Sequence, residues 1–298
     1  MSLPRFTYIT PKNLKEACAL LMEYGDKAKL MAGGTDLLIR LGHRAMRPDV
    51  VIGLRSLADL DYIKYETGLG LRIGALARLS EVAGHAEVVK RYQALAEAAS
   101  HTATVQIRNM GTVVGNICNA APSADNATPL LVHQAEVVIA NPGGERVLPL
   151  AEFFRGPGLT ALEMGEIVRE LRLPDSGQGS ASNYQKLSAR SKVDIAAVGV
   201  SAFVSLDGEG ICTTARLALG AVAPVPMRAR HAEAVLTGRR LTADILAEAG
   251  DKAADECSPI SDVRAGAAYR RGMVRVLTVR ALEHCLATAS VNSAGCEI

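Results

Sequence analysis

Leu14, Ala17, Cys18 and Leu21 recur at helical spacing in FTYITPKNLKEACALLMEYG, which predicts a short strand followed by a helix with one apolar face. Thr10 suits the cap, Pro11 the first helical position and Gly25 the stop. KAKLMAGGTDLLIRL then changes from apolar run to glycine turn to short helix, and PDVVIGL is a buried strand. YIKYETGLGLRIGAL alternates like a hairpin, and Leu79 to about Ser100 returns to helical spacing. EVVIANPGGERVLPL predicts a strand pair across Asn-Pro-Gly-Gly, and EIVRELRLP a strand stopped by Pro174. The stretch DSGQGSAS, residues 175–182, has the composition of a linker. Beyond it, VGVSAFVSLDGEGICTTARLALGAVAP predicts two long strands joined through Asp-Gly-Glu-Gly. TADILAEAGDKAADEC and YRRGMVRVLTVRALEHCLATA predict two closing helices, and SVNSAGCEI a frayed tail. The pattern is that of an α+β protein with a boundary near residue 178 and no internal repeat.

Composition narrows the function by exclusion. A net charge of +2 over 298 residues does not suit nucleic acid or a polyanionic substrate. No apolar run approaches a membrane span and no basic-then-apolar start is present, so a cytoplasmic protein is expected. Aromatic residues make up 4% and tryptophan is absent, which argues against stacking platforms for bases or sugars. Cys18, Cys118, Cys212, Cys257, Cys285 and Cys296 contain no C-x-x-C pair, and the six histidines no H-E-x-x-H, so no metal site is encoded locally.

Three stretches carry candidate chemistry. In Ala32-Gly33-Gly34-Thr35-Asp36-Leu37, adjacent glycines can turn successive amides toward one point beside a helix start, which favours a phosphate or pyrophosphate. Asp36 suits a helix cap or a ribose, and a plain strand-to-helix turn fits the same residues. RNMGTVVGNICNAAPSAD, residues 108–125, places Gly111, Thr112, Gly115 and Asn116 in a second glycine-bounded turn, with Asp125 nine residues on. One extended ligand with a central diphosphate could bridge both turns. Neither turn is a Rossmann fingerprint or a P-loop. YQKLSARSKVDIA gathers Lys186, Arg190 and Lys192, suited either to a solvated strand edge or to an anionic, electron-accepting ring. No nucleophile stands with a base, so a cofactor would have to supply the chemistry.

AGGTDLL, RNMGTVVGNICNAAPSAD, EIVRELRLP, YQKLSARSKVDIA and LALGAVAPVPMRA, in that order, resemble the FAD-binding medium subunit of molybdenum hydroxylases, the group of CO dehydrogenase and xanthine dehydrogenase. The likeness runs from about residue 4 to 285. It implies a two-part FAD domain of the vanillyl-alcohol-oxidase type over 1–178 (parts about 1–56 and 57–178), then a CO-dehydrogenase-flavoprotein domain over 179–298. By position, Ala32 to Leu37 would form the first FAD turn, and Gly111, Thr112, Gly115 and Asn116 the second. Asn119 and Asp125 would hydrogen-bond ribityl or sugar hydroxyls. Ile167 or Val168 would pack near the adenine or flavin, and Lys186 would sit by the isoalloxazine, with Arg190 the second choice of cation. Ile195 takes the place where some members present a tyrosine. Met31, Thr102, Ile107, Val114 and Ala120 are implied as further cofactor-binding positions.

The chain departs from the family's usual T-I-G-G-N at Thr112-Val113-Val114-Gly115-Asn116, which puts a branched side chain near the diphosphate. It also lacks the cysteine-rich loop of some members. Replacing Gly33 and Gly34 by alanine is expected to abolish FAD retention through collision with the diphosphate. The resemblance further implies molybdopterin on a large partner subunit, [2Fe–2S] clusters on a small one, and a dimer of heterotrimers. Electrons would pass from those clusters to FAD and on to NAD, oxygen, a quinone or a carrier protein. A stand-alone flavin oxidoreductase, or a binding module with structural glycine turns, fits the residues as well.

Overall fold

The computed structural model describes residues 3–177, 179–191 and 193–294, with side chains to residue 289. The chain opens with β1 (Thr7–Ile9), α1 (Leu14–Tyr24), β2 (Ala28–Met31), α2 (Leu37–Gly42) and β3 (Val50–Gly53). The strands form a parallel sheet in the order β1-β3-β2, and all four residues of the central β3 are buried. Ala17 and Cys18 bury the expected face of α1, and Gly25 ends it at φ +52°. The cap is Asn13, not Thr10. Its side-chain oxygen accepts from the Glu16 amide at 2.8 Å, while Glu16 accepts from the Lys12 amide at 2.7 Å. This reciprocal pair starts the helix after Pro11, which stays outside it.

β4 (Ile63–Glu66) and β5 (Gly70–Gly74) make the expected hairpin. The predicted helical stretch from Leu79 breaks into α3 (Leu79–Gly84), α4 (Ala86–Arg91) and α5 (Gln93–His101), because His85 and Tyr92 leave helical geometry. Tyr92 is fully buried and its hydroxyl donates to Pro174 O at 2.9 Å, a tertiary contact that local periodicity does not contain. Then come α6 (Val105–Arg108), α7 (Val113–Cys118) and α8 (Ala127–Val132), followed by β6 (Glu136–Asn141) and β7 (Gly144–Pro149) across the expected turn. A short α9 (Leu150–Phe153) and the pair β8 (Phe154–Gly156) and β9 (Leu159–Thr160) lead into β10 (Ile167–Leu173). The antiparallel order is β4-β5-β10-β6-β7. Fully buried Glu170, on the central strand, accepts from Tyr62, Arg72 and Arg172, which makes its charge tolerable there.

β11 (Ser180–Ser188), β12 (Ala196–Leu206), β13 (Cys212–Gly220) and β14 (Met227–Arg228) form a second antiparallel sheet in that order. β11 claims Ser180–Ser182, so the linker is shorter than its composition predicts, and Gln178 lies outside the described residues. Asp207 holds the β12–β13 turn by accepting from the Glu209 and Ile211 amides. α10 (Arg230–Leu236), not foreseen in the sequence, precedes the expected α11 (Ala243–Glu256) and α12 (Ala267–Ala294). α12 packs on this sheet, while α5 and α8 of the first half also pack against it. With cover on both faces, β12 is buried from Ala196 to Val204 and reads as one apolar run. The backbone of α12 continues into the predicted tail as far as Ala294; residues 295–298, with Cys296, lie outside the described residues. Among the described residues no helix is long and apolar enough to cross a membrane.

Candidate functional site

A cleft of about 640 Å³ opens where the β2–α2 turn, α7 and the segment before β12 meet. Of the positions singled out in the sequence, Met31 to Leu37, Thr102, Ile107, Gly111, Thr112, Val114 to Asn116, Asn119, Asp125, Ile167, Val168 and Ile195 all line it. Ala120 and Lys186 do not. Ala120 is buried behind the wall at φ +48°, where its carbonyl accepts from the Gly158 amide at 2.9 Å. The sequence reading missed other wall residues, among them Lys29, Arg40, Leu54, Ser123 and Asp194. These sit outside any glycine turn and reach the cleft only through folding.

The two glycine turns touch each other. A Cβ on Gly33 would lie 2.0 Å from Met110 O and 2.8 Å from the Gly111 Cα. A Cβ on Gly111 would in turn meet Thr35 Oγ1 at 3.2 Å. The obligation for glycine at 33 therefore comes from the chain's own backbone, which corrects the expectation of collision with a diphosphate alone. Gly34 is needed for its φ of +75°. The amides of Gly33, Gly34, Thr35 and Asp36 donate to no acceptor among the described residues, and the Thr35 and Ser123 hydroxyls make no hydrogen bond there either. Consecutive free amides around a left-handed glycine form a concavity suited to an anion.

The second turn is the start of a helix. Thr112 caps α7, its hydroxyl accepting from the Gly115 amide at 2.9 Å. Val114 lies inside this helix with ordinary helical geometry and 4% exposure, so its position does not demand glycine's conformations. Its branched side chain belongs to both core and cleft wall.

Side-chain hydrogen bonds tie the walls together. Asp36 makes no capping bond to α2, which removes that reading; its carboxylate accepts from Asn119 Nδ2 at 3.2 Å. Asn119 Oδ1 accepts from Arg40 at 2.7 Å, so the first turn is laced to the end of α7. Behind them Asn126 Nδ2 donates to Asn116 Oδ1 and Thr102 Oγ1 at 3.1 and 3.2 Å.

The cations stand differently from the expectation. Lys186 is buried on β11, and its ammonium donates to Asp125 Oδ2 at 2.9 Å and to His101 O at 3.3 Å. It presents no free charge to the cleft. Arg190 points to solvent and forms a two-bond pair with Asp194, and Lys192 lies outside the described residues. Asp125 Oδ1 accepts from the Tyr184 hydroxyl at 2.5 Å. Burial pushes the Asp125 carboxyl above the usual range, against the pull of Lys186 and Tyr184. Burial also raises the Tyr184 phenol, and the Asp125 charge adds to it. Cys118 lines the cleft, and burial pushes its thiol up to about 12, so it is not a ready nucleophile.

These features suit a long, partly anionic ligand with an apolar portion. Comparison with known proteins gives it a family. The profile described as "FAD binding domain in molybdopterin dehydrogenase" matches residues 4–176, and that of the "CO dehydrogenase flavoprotein C-terminal domain" matches residues 183–285. The chain belongs to the FAD-binding flavoprotein family of molybdopterin dehydrogenases. A xanthine dehydrogenase FAD-binding subunit of Escherichia coli O157:H7 is 34% identical, the alignment covering 95% of this chain and 97% of that one. A nicotinate dehydrogenase FAD-subunit of Eubacterium barkeri is 35% identical, covering 81% and 82%. In the solved carbon monoxide dehydrogenase of Hydrogenophaga pseudoflava, a chain superposes with a TM-score of 0.92 at 35% identity, covering 96% of this chain and 99% of that one. This flavoprotein family explains why the site contains amides, hydroxyls and apolar wall but no nucleophile–base pair.

Proposed function

We propose that this flavoprotein is the electron-transfer subunit of a multi-subunit molybdenum hydroxylase. It works with a large molybdopterin subunit and a small [2Fe–2S] subunit, in a dimer of heterotrimers. The observation that carries the reading is the contact of the two glycine turns, which sets the free amides of the first turn and the Thr35 hydroxyl beside the second turn in one wall of one cleft. Residues 1–178 are the FAD domain, of the vanillyl-alcohol-oxidase type, and 179–298 the second domain.

When bound, FAD supplies the capacity to accept electrons and deliver them to an external acceptor. The chain's own residues hold and shape it. The amides of Gly33 to Asp36 suit the diphosphate, and the hydroxyls of Thr35 and Ser123 add neutral donors. Lys29, which makes no ion pair among the described residues, adds a cation to the same wall. Ile167, Val168 and Val114 exclude water from the apolar side. Asp125 accepts a ligand hydroxyl.

The deciding experiment is reconstitution of purified protein with FAD. Stoichiometric uptake with a bound-flavin spectrum is expected, and a colourless protein that takes up none defeats the reading. Reduction of that flavin by a small organic substrate with no partner present would make it a self-sufficient oxidoreductase instead.

A further inference from the structure

Asp125 reaches the cleft from the loop between α7 and α8, yet both its carboxylate oxygens are bonded from the other half of the molecule. Oδ1 takes the Tyr184 hydroxyl at 2.5 Å and Oδ2 the Lys186 ammonium at 2.9 Å, both from β11. Tyr184 itself cannot shift. It is 3% exposed, its ring packs with Ala94 and Ala98 of α5, and its amide donates to Glu97 at 2.8 Å. Gly199 on β12 lies beside the ring, within ordinary contact distance of it. The phenol does not touch the cleft.

We propose that Tyr184 is a positioning residue for the ligand of this cleft: its hydrogen bond fixes the Asp125 carboxylate so that the remaining lone pairs face the cleft and accept a hydroxyl of the bound molecule. The ligand class is a polyol-bearing nucleotide, and the inference rests on the FAD reading above. A carboxylate held by two donors has lost its freedom to rotate, so the ligand need not supply that ordering on binding. Tyr184 stays a donor because burial, reinforced by the neighbouring Asp125 charge, disfavours its ionisation. The device also makes ligand retention depend on contact between β11 and the loop carrying Asp125.

The test is a double-mutant cycle on the intact chain, with FAD as the probe. FAD dissociation constants are measured by flavin fluorescence for the parent, Tyr184→Phe, Asp125→Asn and the double variant. Where affinity falls below that range, the shift of the thermal midpoint at millimolar FAD is used. The expected result is a loss of roughly 5–20-fold for Tyr184→Phe in the parent, part of the roughly 10–150-fold that one bond to a charged group is worth, because Tyr184 acts on the ligand only through Asp125. In the Asp125→Asn background the same change is expected to cost less than about 2-fold, because the charge it positions is gone. Equal losses in both backgrounds overturn the proposal, since Tyr184 would then act through packing. A Tyr184→Phe chain that binds like the parent overturns it and leaves the flavin reading intact. A parent that takes up no FAD overturns both.

Discussion

At the level of single residues, Gly33 separates two reasons for the same glycine. Sequence pointed to close approach by a ligand, whereas the structure puts Met110 O only 2.0 Å from any added Cβ. Gly33→Ala is therefore expected to destabilise the FAD-free chain by on the order of 2–3 kcal/mol, read from urea unfolding. An apo-protein as stable as the parent would return the glycine to the ligand. His133 gives a pH test. Burial, with the nearby Arg216 charge, lowers its pKa from 6.5 to about 3. Its rings-and-hydroxyl surroundings are Tyr92, Phe203 and Ser182. The unfolded chain takes up a proton below about pH 6.5 while the folded chain resists it down to about 3, so this contribution to stability is present above 6.5 and is lost as pH falls. His133→Gln should flatten the acid side of the stability curve by up to about 1.4 kcal/mol per pH unit across that window. Parallel curves for parent and variant would show that His133 titrates normally.

Individual elements turn on their caps. The sequence favoured Thr10 for α1, but the bonds belong to Asn13 and Glu16. Asn13→Ala should cost about 1 kcal/mol in thermal or urea unfolding and Thr10→Ala only a few tenths. The reverse ranking would restore the earlier start. For α7, Thr112→Val keeps the shape but removes the acceptor of the Gly115 amide. A loss of about 1 kcal/mol in apo stability is expected, together with weaker FAD binding, because the helix start is part of the cleft wall. FAD affinity unchanged within twofold would exclude that coupling. Some features escaped the sequence for an intelligible reason. The breaks at His85 and Tyr92, and helix α10, depend on tertiary partners rather than on a local repeat.

The whole molecule has two main cores joined by both apolar and polar contacts: Phe203 and Ala218 of the second half belong to the core of the first, and the Tyr184 ring packs on Ala94 and Ala98. Ser201 donates to Thr128 at 2.9 Å, the Ala221 amide to Pro122 O at 2.7 Å, and Asn183 to Glu97 at 3.0 Å. Val193, Asp194 and Ile195 from the second half line the cleft of the first. Urea unfolding is expected to be one transition seen equally by probes in each half, and FAD at a hundred times its dissociation constant should add about 2.7 kcal/mol to both. Two separated transitions, only one of them moved by FAD, would show that the second half takes no part in binding.

The amino-acid sequence determined most of the elements, the α+β class, the two glycine turns and the family, because alternation, helical spacing and glycine placement are local properties of the chain. By position it also identified about half of the residues that line the cleft. What only the tertiary structure decided is which atoms those residues spend their bonds on. Gly33 faces Met110 rather than open space, Asp36 serves Asn119 rather than a helix end, and Lys186 is committed to Asp125 behind the wall. Each of these pairs joins residues far apart in the chain. Their geometry exists only once the β2–α2 turn, α7 and β11 are packed together, and no spacing along the sequence encodes it.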